Sequence, residues 1–382
     1  MRKTVHIHIL ASIVVCASAL LSACRPSTDS MRINPAAGDT LTHHAVLLGM
    51  YAMSDGSVLV RVANPWSEGD YFGSYLLVHR DSIVPDNLPQ DLKVVRVPVS
   101  RALVFSTVHG GALAELNALD AVVGVADAQY IAPGDTLRAL LDSGRLADIG
   151  PAASPDPERV LALEPDVAMV SPMQDSDPAV ALGGVPMVTL YCADYLEETP
   201  LGRAEWIRLL GALTGRGAQA DSIFASVEKD YTDLAANVVR SRDARPKVLT
   251  DTEYSGVWYQ PRRDSYASIL LRDAGAVTAT SDIPGTGSVP MDVAQVLDRN
   301  QDTQYWLIRS YGQLPSPSDL EAANPLYAHI PALRTGLYVC DTSVSPLFAD
   351  QAFHPERVLR EYVGIFHPGL LPDYELKYFI RR

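Results

Sequence analysis

The chain reads as an α/β protein: two Rossmann-like α/β lobes joined by a long spanning helix, with a short β extension ahead of the first lobe. Three observations predict this. Short apolar strands alternate with short helices between residues 94 and 199, and the alternation resumes after Pro246, a pattern of sheets covered on both faces. Between these stretches, from Pro200 to Val239, apolar residues recur at helical spacing. The two alternating halves also echo each other. ERVLALEPD (158–166) runs parallel to AQVLDRNQD (294–302), each a short helix ending at an aspartate before an apolar strand, and residues 110–125 match residues 266–279.

Taken in order, residues 45–50, 58–62 and 75–78 read as strands of the extension, before a turn rich in proline at Pro85 and Pro89. In the first lobe, strands are expected at 94–99, 103–105, 122–125, 167–170 and 188–190, with helices at 110–119 and 158–163. The helical run carries Trp206, Leu209, Leu213, Phe224, Val227 and Tyr231, and Gly215 and Gly217 mark a kink or a break in it. The second lobe reads as strands at 248–249, 305–308 and 337–339, with helices at 266–274, 293–297 and 355–365 before an aromatic tail. These elements divide the chain into a first lobe at 43–199, a spanning segment at 200–244 and a second lobe at 245–382.

The start of the chain is different in kind. Arg2 and Lys3 precede a short apolar run that ends in Leu21-Ser22-Ala23-Cys24, the parts of a secretory signal. The four residues resemble a bacterial lipobox, which implies lipidation of Cys24, a signal peptide at 1–23 and a tether at 24–42. The alternative is an ordinary secretory signal with an incidental cysteine. The run holds His6 and His8 and is short for a membrane-spanning helix, and no later stretch approaches that length. The expected protein is exported, held to a membrane by lipid, and faces the periplasm.

The 382 residues carry 31 Lys and Arg against 45 Asp and Glu, a formal charge of −14; loss of Arg2 and Lys3 with the signal makes it −16. Such a surface argues against nucleic acid and suits docking on a basic protein face. Cys192 and Cys340 are the cysteines beyond Cys24. An oxidising compartment permits pairing, but two separate buried thiols are favoured.

At this point the chain resembles a class III periplasmic substrate-binding protein of iron–siderophore, haem or cobalamin ABC importers. PDPERVLALEPDV (155–167) matches that family's signature helix and strand. PLGRAEW (200–206) and the tail from Phe366-His367-Pro368 to Tyr374-Glu375-Leu376 are similar to the Bacteroides-like lipoprotein branch. The resemblance implies a rigid monomer with no catalysis, no cofactor and no metal ion of its own, which delivers a small-molecule ligand to an ABC permease of the inner membrane. It also implies a docking glutamate on each lobe. Glu158 matches the first; the second position is Ala294, with Asp292 two residues earlier as the candidate.

Open α/β sheets bind ligands beyond the carboxyl ends of their strands. The loops expected there bring Tyr130, Tyr191, Tyr254, Trp258, Tyr259 and Tyr311 to an interlobe cleft. Flat rings suit a large planar or catecholate ligand, and they also fill cores. Arg262 and Arg263 offer charge to an anionic ligand, with only one facing the cleft if the backbone is extended, or both are plain surface charge. His109 is read either as a ligand contact, an iron ligand included, or as a histidine satisfied locally near a helix start. The ligand is a ferric siderophore on this reading, with haem or cobalamin as alternatives. An esterase-like hydrolase is the rival from another class. His109-Gly110-Gly111 suggests an oxyanion segment, yet the chain has no Gly-x-Ser-x-Gly elbow.

Overall fold

The computed structural model describes residues 39–382 apart from 133, 175, 176 and 242; the signal and Cys24 lie outside the described residues. The β extension is larger than expected. Strands β1 (Asp39–Thr40), β2 (Leu48–Ala52), β3 (Val58–Ala63), β4 (Tyr71–His79) and β5 (Leu92–Val97) form one sheet in chain order, antiparallel up to β4 and parallel between β4 and β5. The strand expected at 94–99 is β5, so it belongs to this sheet and not to the first lobe. Alternation explains the assignment. Val60, Val62, Tyr75, Leu77 and Val95 pack inward on the main core, while Leu59, Leu76 and Val78 form a small cluster with Val84 and Leu88 on the other face.

The first lobe contains β6 (Ala102–Val104), α1 (Thr107–Glu115), β7 (Val122–Val125), α2 (Thr136–Asp142), β8 (Ala147–Asp148), α3 (Pro157–Ala162), β9 (Val167–Val170), α4 (Pro178–Ala181) and β10 (Val188–Tyr191). Its parallel sheet has the order β10-β9-β6-β7-β8. The connecting run is three helices: α5 (Pro200–Ala204), α6 (Ile207–Thr214) and α7 (Gly217–Ser241). The break falls at Gly215, whose φ of +70° closes α6 in the left-handed conformation.

The second lobe contains β11 (Lys247–Thr250), β12 (Trp258–Pro261), α8 (Tyr266–Asp273), β13 (Val277–Thr278), β14 (Ser288–Met291), α9 (Val293–Arg299), β15 (Tyr305–Ser310), α10 (Pro317–Ala323), α11 (Ala332–Thr335), β16 (Leu337–Asp341), α12 (Leu347–Phe353), α13 (Pro355–Phe366) and β17 (Ile380–Arg381). The main sheet has the order β13-β11-β15-β16-β17, and β12 and β14 form a separate ribbon. The order β7-β6-β9-β10 in the first lobe is repeated as β13-β11-β15-β16 in the second, so the echo in the sequence is an echo in topology. In both lobes the chain crosses from one side of its first strand to the other, which opens a crevice at the strands' carboxyl ends.

One hydrophobic core runs from the N-terminal sheet through α5, α6 and α7 into α8, α12 and α13. An ionic tie reinforces it. His354, between α12 and α13, donates from Nε2 to Glu115 of α1 (2.6 Å) and from Nδ1 to Glu356 (3.0 Å), with Arg357 alongside. Burial alone favours the neutral ring, but the two carboxylates outweigh it and raise the pKa to about 9. Glu115 is lowered from 4.5, chiefly by the hydrogen bond from His354.

The signs are opposite. The raised imidazole contributes fully below its ordinary 6.5 and loses that contribution as pH rises through about 9; the lowered Glu115 loses its own as pH falls below 4.5. Replacing His354 with Gln is therefore expected to remove roughly 3 kcal/mol of stability at pH 6 and much less above pH 9. Urea midpoints of both proteins between pH 5 and 10 check this; parallel profiles contradict it.

Candidate functional site

The two crevices face each other across the interlobe cleft. Tyr130 follows β7 and Tyr311 follows β15, and their rings meet edge to face at 6.4 Å, which joins the lobes at this point. Both rings are more than half exposed, as are Tyr254 and Tyr259. Such rings are hydrophobic surface that the fold leaves in water, the usual lining of a ligand pocket.

Tyr191 ends β10 and is held from two sides: its hydroxyl donates to Asp177 (2.6 Å), and its ring touches Phe72 at 5.6 Å. Trp258 is wholly buried, packed on Trp306 and Tyr327, with its Nε1 donating to the Thr250 carbonyl. It is a core residue of the second lobe. Strand alternation sends Trp258 inward and Tyr259 outward, a choice that residue type alone does not reveal.

Both arginines have local partners. Arg263 is exposed and ion-paired with Asp264 at 3.0 Å, while Arg262 donates to the carbonyls of Pro284 (3.3 Å) and Ser288 (3.4 Å). At the switch point of the second lobe, Arg309 of β15 grips Asp251 after β11, with Nε 3.0 Å from Oδ1 and a second contact to Oδ2. Sequence reasoning missed this pair, although the same strand-end rule reaches it. It also missed the loop after β9, where Met173 is half exposed.

His109 lies in the interlobe core. It is 2% exposed, donates from Nε2 to Asp194 (2.7 Å) and stands 6.4 Å from Phe353. Its Nδ1 is buried with no hydrogen-bond partner among the described residues. Asp194 also accepts from Arg203 Nε at 3.2 Å, and that guanidinium lies 5.8 Å over the ring of Tyr266 in the second lobe. Burial raises the pKa of Asp194, but His109 and Arg203 outweigh it and the carboxyl ends lower than usual. Cys192 and Cys340 are free and buried, and burial pushes both thiols up. Among the described residues no group of three or more His, Cys, Asp or Glu is placed to hold a metal ion.

Helices antiparallel to the strands begin at the strands' carboxyl ends, so the first turns of α3 and α9 stand on the cleft side of their lobes. Glu158 is exposed in the first turn of α3, capped by Asp156. Asp292 caps α9, its carboxylate accepting Gln295 N–H at 2.8 Å. It is thus the counterpart of Asp156, and Ala294 that of Glu158.

The periplasmic binding protein family model matches residues 107–342. The chain belongs to this family. An uncharacterised lipoprotein of Methanocaldococcus jannaschii is 24% identical over 320 residues, covering 80% of this chain and 75% of that one. Among solved structures, a possible iron-binding periplasmic solute-binding protein of Staphylococcus epidermidis superposes with a TM-score of 0.54 at 15% identity, covering 70% of this chain and 98% of the other. A periplasmic haem-binding protein of Pseudomonas aeruginosa gives a TM-score of 0.51 at 18% identity, covering 74% and 97%. These structures share the class III binding-protein fold, and the family's role is substrate binding. In this member the hydrogen-bonded triad of His109, Asp194 and Arg203 lies within the core that joins the lobes, His109 beside Phe353 and Arg203 over Tyr266.

Replacing Asp194 with Asn removes the buried counter-charge of Arg203 and weakens the acceptor of His109 Nε2. A loss of about 3–5 kcal/mol in unfolding free energy is expected, measurable by urea denaturation. A variant as stable as the wild type would show that the triad is not a structural tie.

Proposed function

We propose that this chain is the substrate-binding lipoprotein of an ABC importer and that its cleft captures a ferric siderophore for a membrane permease. One observation carries the reading: the tyrosines left exposed at the carboxyl ends of both sheets, with Tyr130 and Tyr311 touching across the cleft. Rings on both walls suit a ligand that is itself broad and aromatic. The cleft arginines are engaged by Asp264, Asp251 and backbone carbonyls, so stacking contributes more to selection than charge. The lipobox-like Cys24 supplies the anchor, in keeping with the lipoprotein named among the relatives.

Calorimetric titration of the purified protein with a ferric tris-catecholate, haem and cyanocobalamin in parallel tests the ligand class. Binding of the ferric catecholate, weakened several-fold in Tyr311→Ala, is the expected result. Binding of haem or cyanocobalamin alone would replace the siderophore assignment.

Docking is assigned to the exposed carboxylate of Glu158, with Asp292 contributing only what its capping role leaves. Reversing charge at a rim position acts on association with a basic partner and not on the cleft. Glu158→Lys is expected to reduce uptake in cells several-fold with the ligand dissociation constant unchanged. Wild-type uptake by that variant would remove Glu158 from the docking surface.

A further inference from the structure

The N-terminal sheet lies outside residues 107–342, the stretch shared with the family model, and it packs on the main core through Val60, Val62, Tyr75, Leu77 and Val95. The hydroxyl of Tyr75 on β4 donates to the Thr189 carbonyl (3.1 Å) and accepts the Tyr191 N–H (3.0 Å), so β4 covers the free edge of β10. Phe72, three residues before Tyr75, rests on the ring of Tyr191 at the carboxyl end of β10. The turn between β3 and β4 therefore projects past that end, on the side where the cleft opens. Trp66 occupies this turn and meets Phe72 edge to face at 5.2 Å. Trp66, Phe72 and Tyr191 make one continuous row of rings, and Tyr71 at its flank is half exposed beneath the Arg61 guanidinium, 5.4 Å from the ring centroid.

The turn is built to hold Trp66 in place. Asn64 Oδ1 accepts the Trp66 N–H (2.9 Å), the Asn64 N–H donates to the Asp70 carbonyl (3.0 Å), and Ser67 hydroxyl donates to Asp70. The tight, self-bonded turn leaves Trp66 37% and Tyr71 49% exposed beside Phe72, and it is a contiguous apolar patch, not a single exposed ring, that marks an interaction site. The other three tryptophans, Trp206, Trp258 and Trp306, are at most 2% exposed.

We infer that the β3–β4 turn is a third wall of the ligand site, and that Trp66 contacts the aryl periphery of the chelate held between the lobes. This rests on the reading of the cleft given above. A ligand whose organic scaffold extends beyond its metal centre reaches past Tyr191 to this row; a small ligand does not.

The experiment uses the full mature chain and a ferric tris-catecholate, with affinity read by calorimetry in wild type, Trp66→Ala, Trp66→Phe and Tyr311→Ala. Trp66→Ala is expected to weaken binding about fivefold, of the order of one aromatic contact, and Trp66→Phe to stay within about twofold of wild type. Emission gives a second readout. The exposed Trp66 supplies the red edge of the spectrum, so the chelate should change that edge in the wild type and not in Trp66→Phe. Unchanged affinity and unchanged red-edge emission, with Tyr311→Ala still impaired, would overturn the third wall and leave the cleft assignment intact. A Tyr311→Ala protein that binds like wild type would overturn the cleft assignment and this inference with it.

Discussion

The core shared by the two lobes is the constraint on which the rest of the structure depends. Binding proteins with separate cores can hinge freely, but here α5, α6 and α7 are buried against elements of both lobes and against the N-terminal sheet. Rotating one lobe on the other would expose that seam, and apolar area taken back into water costs about 25 cal/mol per Å². The charged groups inside the seam act in the same direction. The His354–Glu115 bond and the Asp194 triad each link helices whose separation would leave a charge buried without its partner. The cleft is therefore held nearly preformed, and its affinity does not have to offset a large closing motion.

A second device fixes the peripheral parts to this core. Glu205, fully buried, accepts the backbone N–H groups of His43, His44 and Ala45, and Glu197 accepts those of Val46 and Leu47 together with Trp206 Nε1. Glu361 does the same for Lys377, Tyr378 and Phe379 near the other end of the chain. In each case a carboxylate on or beside a helix satisfies consecutive amides that no ladder reaches, and the bonds to charge are the stronger kind. Burial still opposes the charge, and it leaves Glu197 with a raised pKa in spite of its three donors. The first of these clamps sets the position of the N-terminal sheet, and with it the turn that carries Trp66.

Much of the fold was legible because its signals are local. Alternation of apolar strands and helices gave both lobes, and the repeated helix–strand units at 158–166 and 294–302 correspond to α3–β9 and α9–β15. Gly215 was legible as a break since only a residue tolerant of positive φ ends α6 there. The assignment of residues 94–99 to the first lobe failed because a strand's own sequence does not name its neighbour, and a parallel partner in β4 was available. The site was less legible. Tyr130, Tyr254, Tyr259 and Tyr311 stay exposed while Trp258 is core, and nothing in the residue types separates them; the pleat of β12 separates Tyr259 from Trp258, and the other three stand outside the named strands. His109 was read from its place at a helix start, but its environment is set by Asp194, 85 residues away.

Charge and shape lead to different ligands, and the structure weighs them unequally. The chain is strongly acidic, at −14 overall, so an anionic chelate approaches against the long-range field and is drawn in only by local cations. Those cations are largely neutralised where they stand: Arg309 by Asp251, Arg263 by Asp264. A ligand carboxylate or catecholate oxygen would have to displace a protein carboxylate to gain either one, an exchange of like for like with little net free energy. Contact between rings meets no such competition, because the rings of Tyr254, Tyr259 and Trp66 give up only water when a ligand covers them. On the proposed reading of the cleft, such a site would select breadth and flatness before charge. The acidic surface that opposes an anionic cargo at long range would favour a basic docking partner.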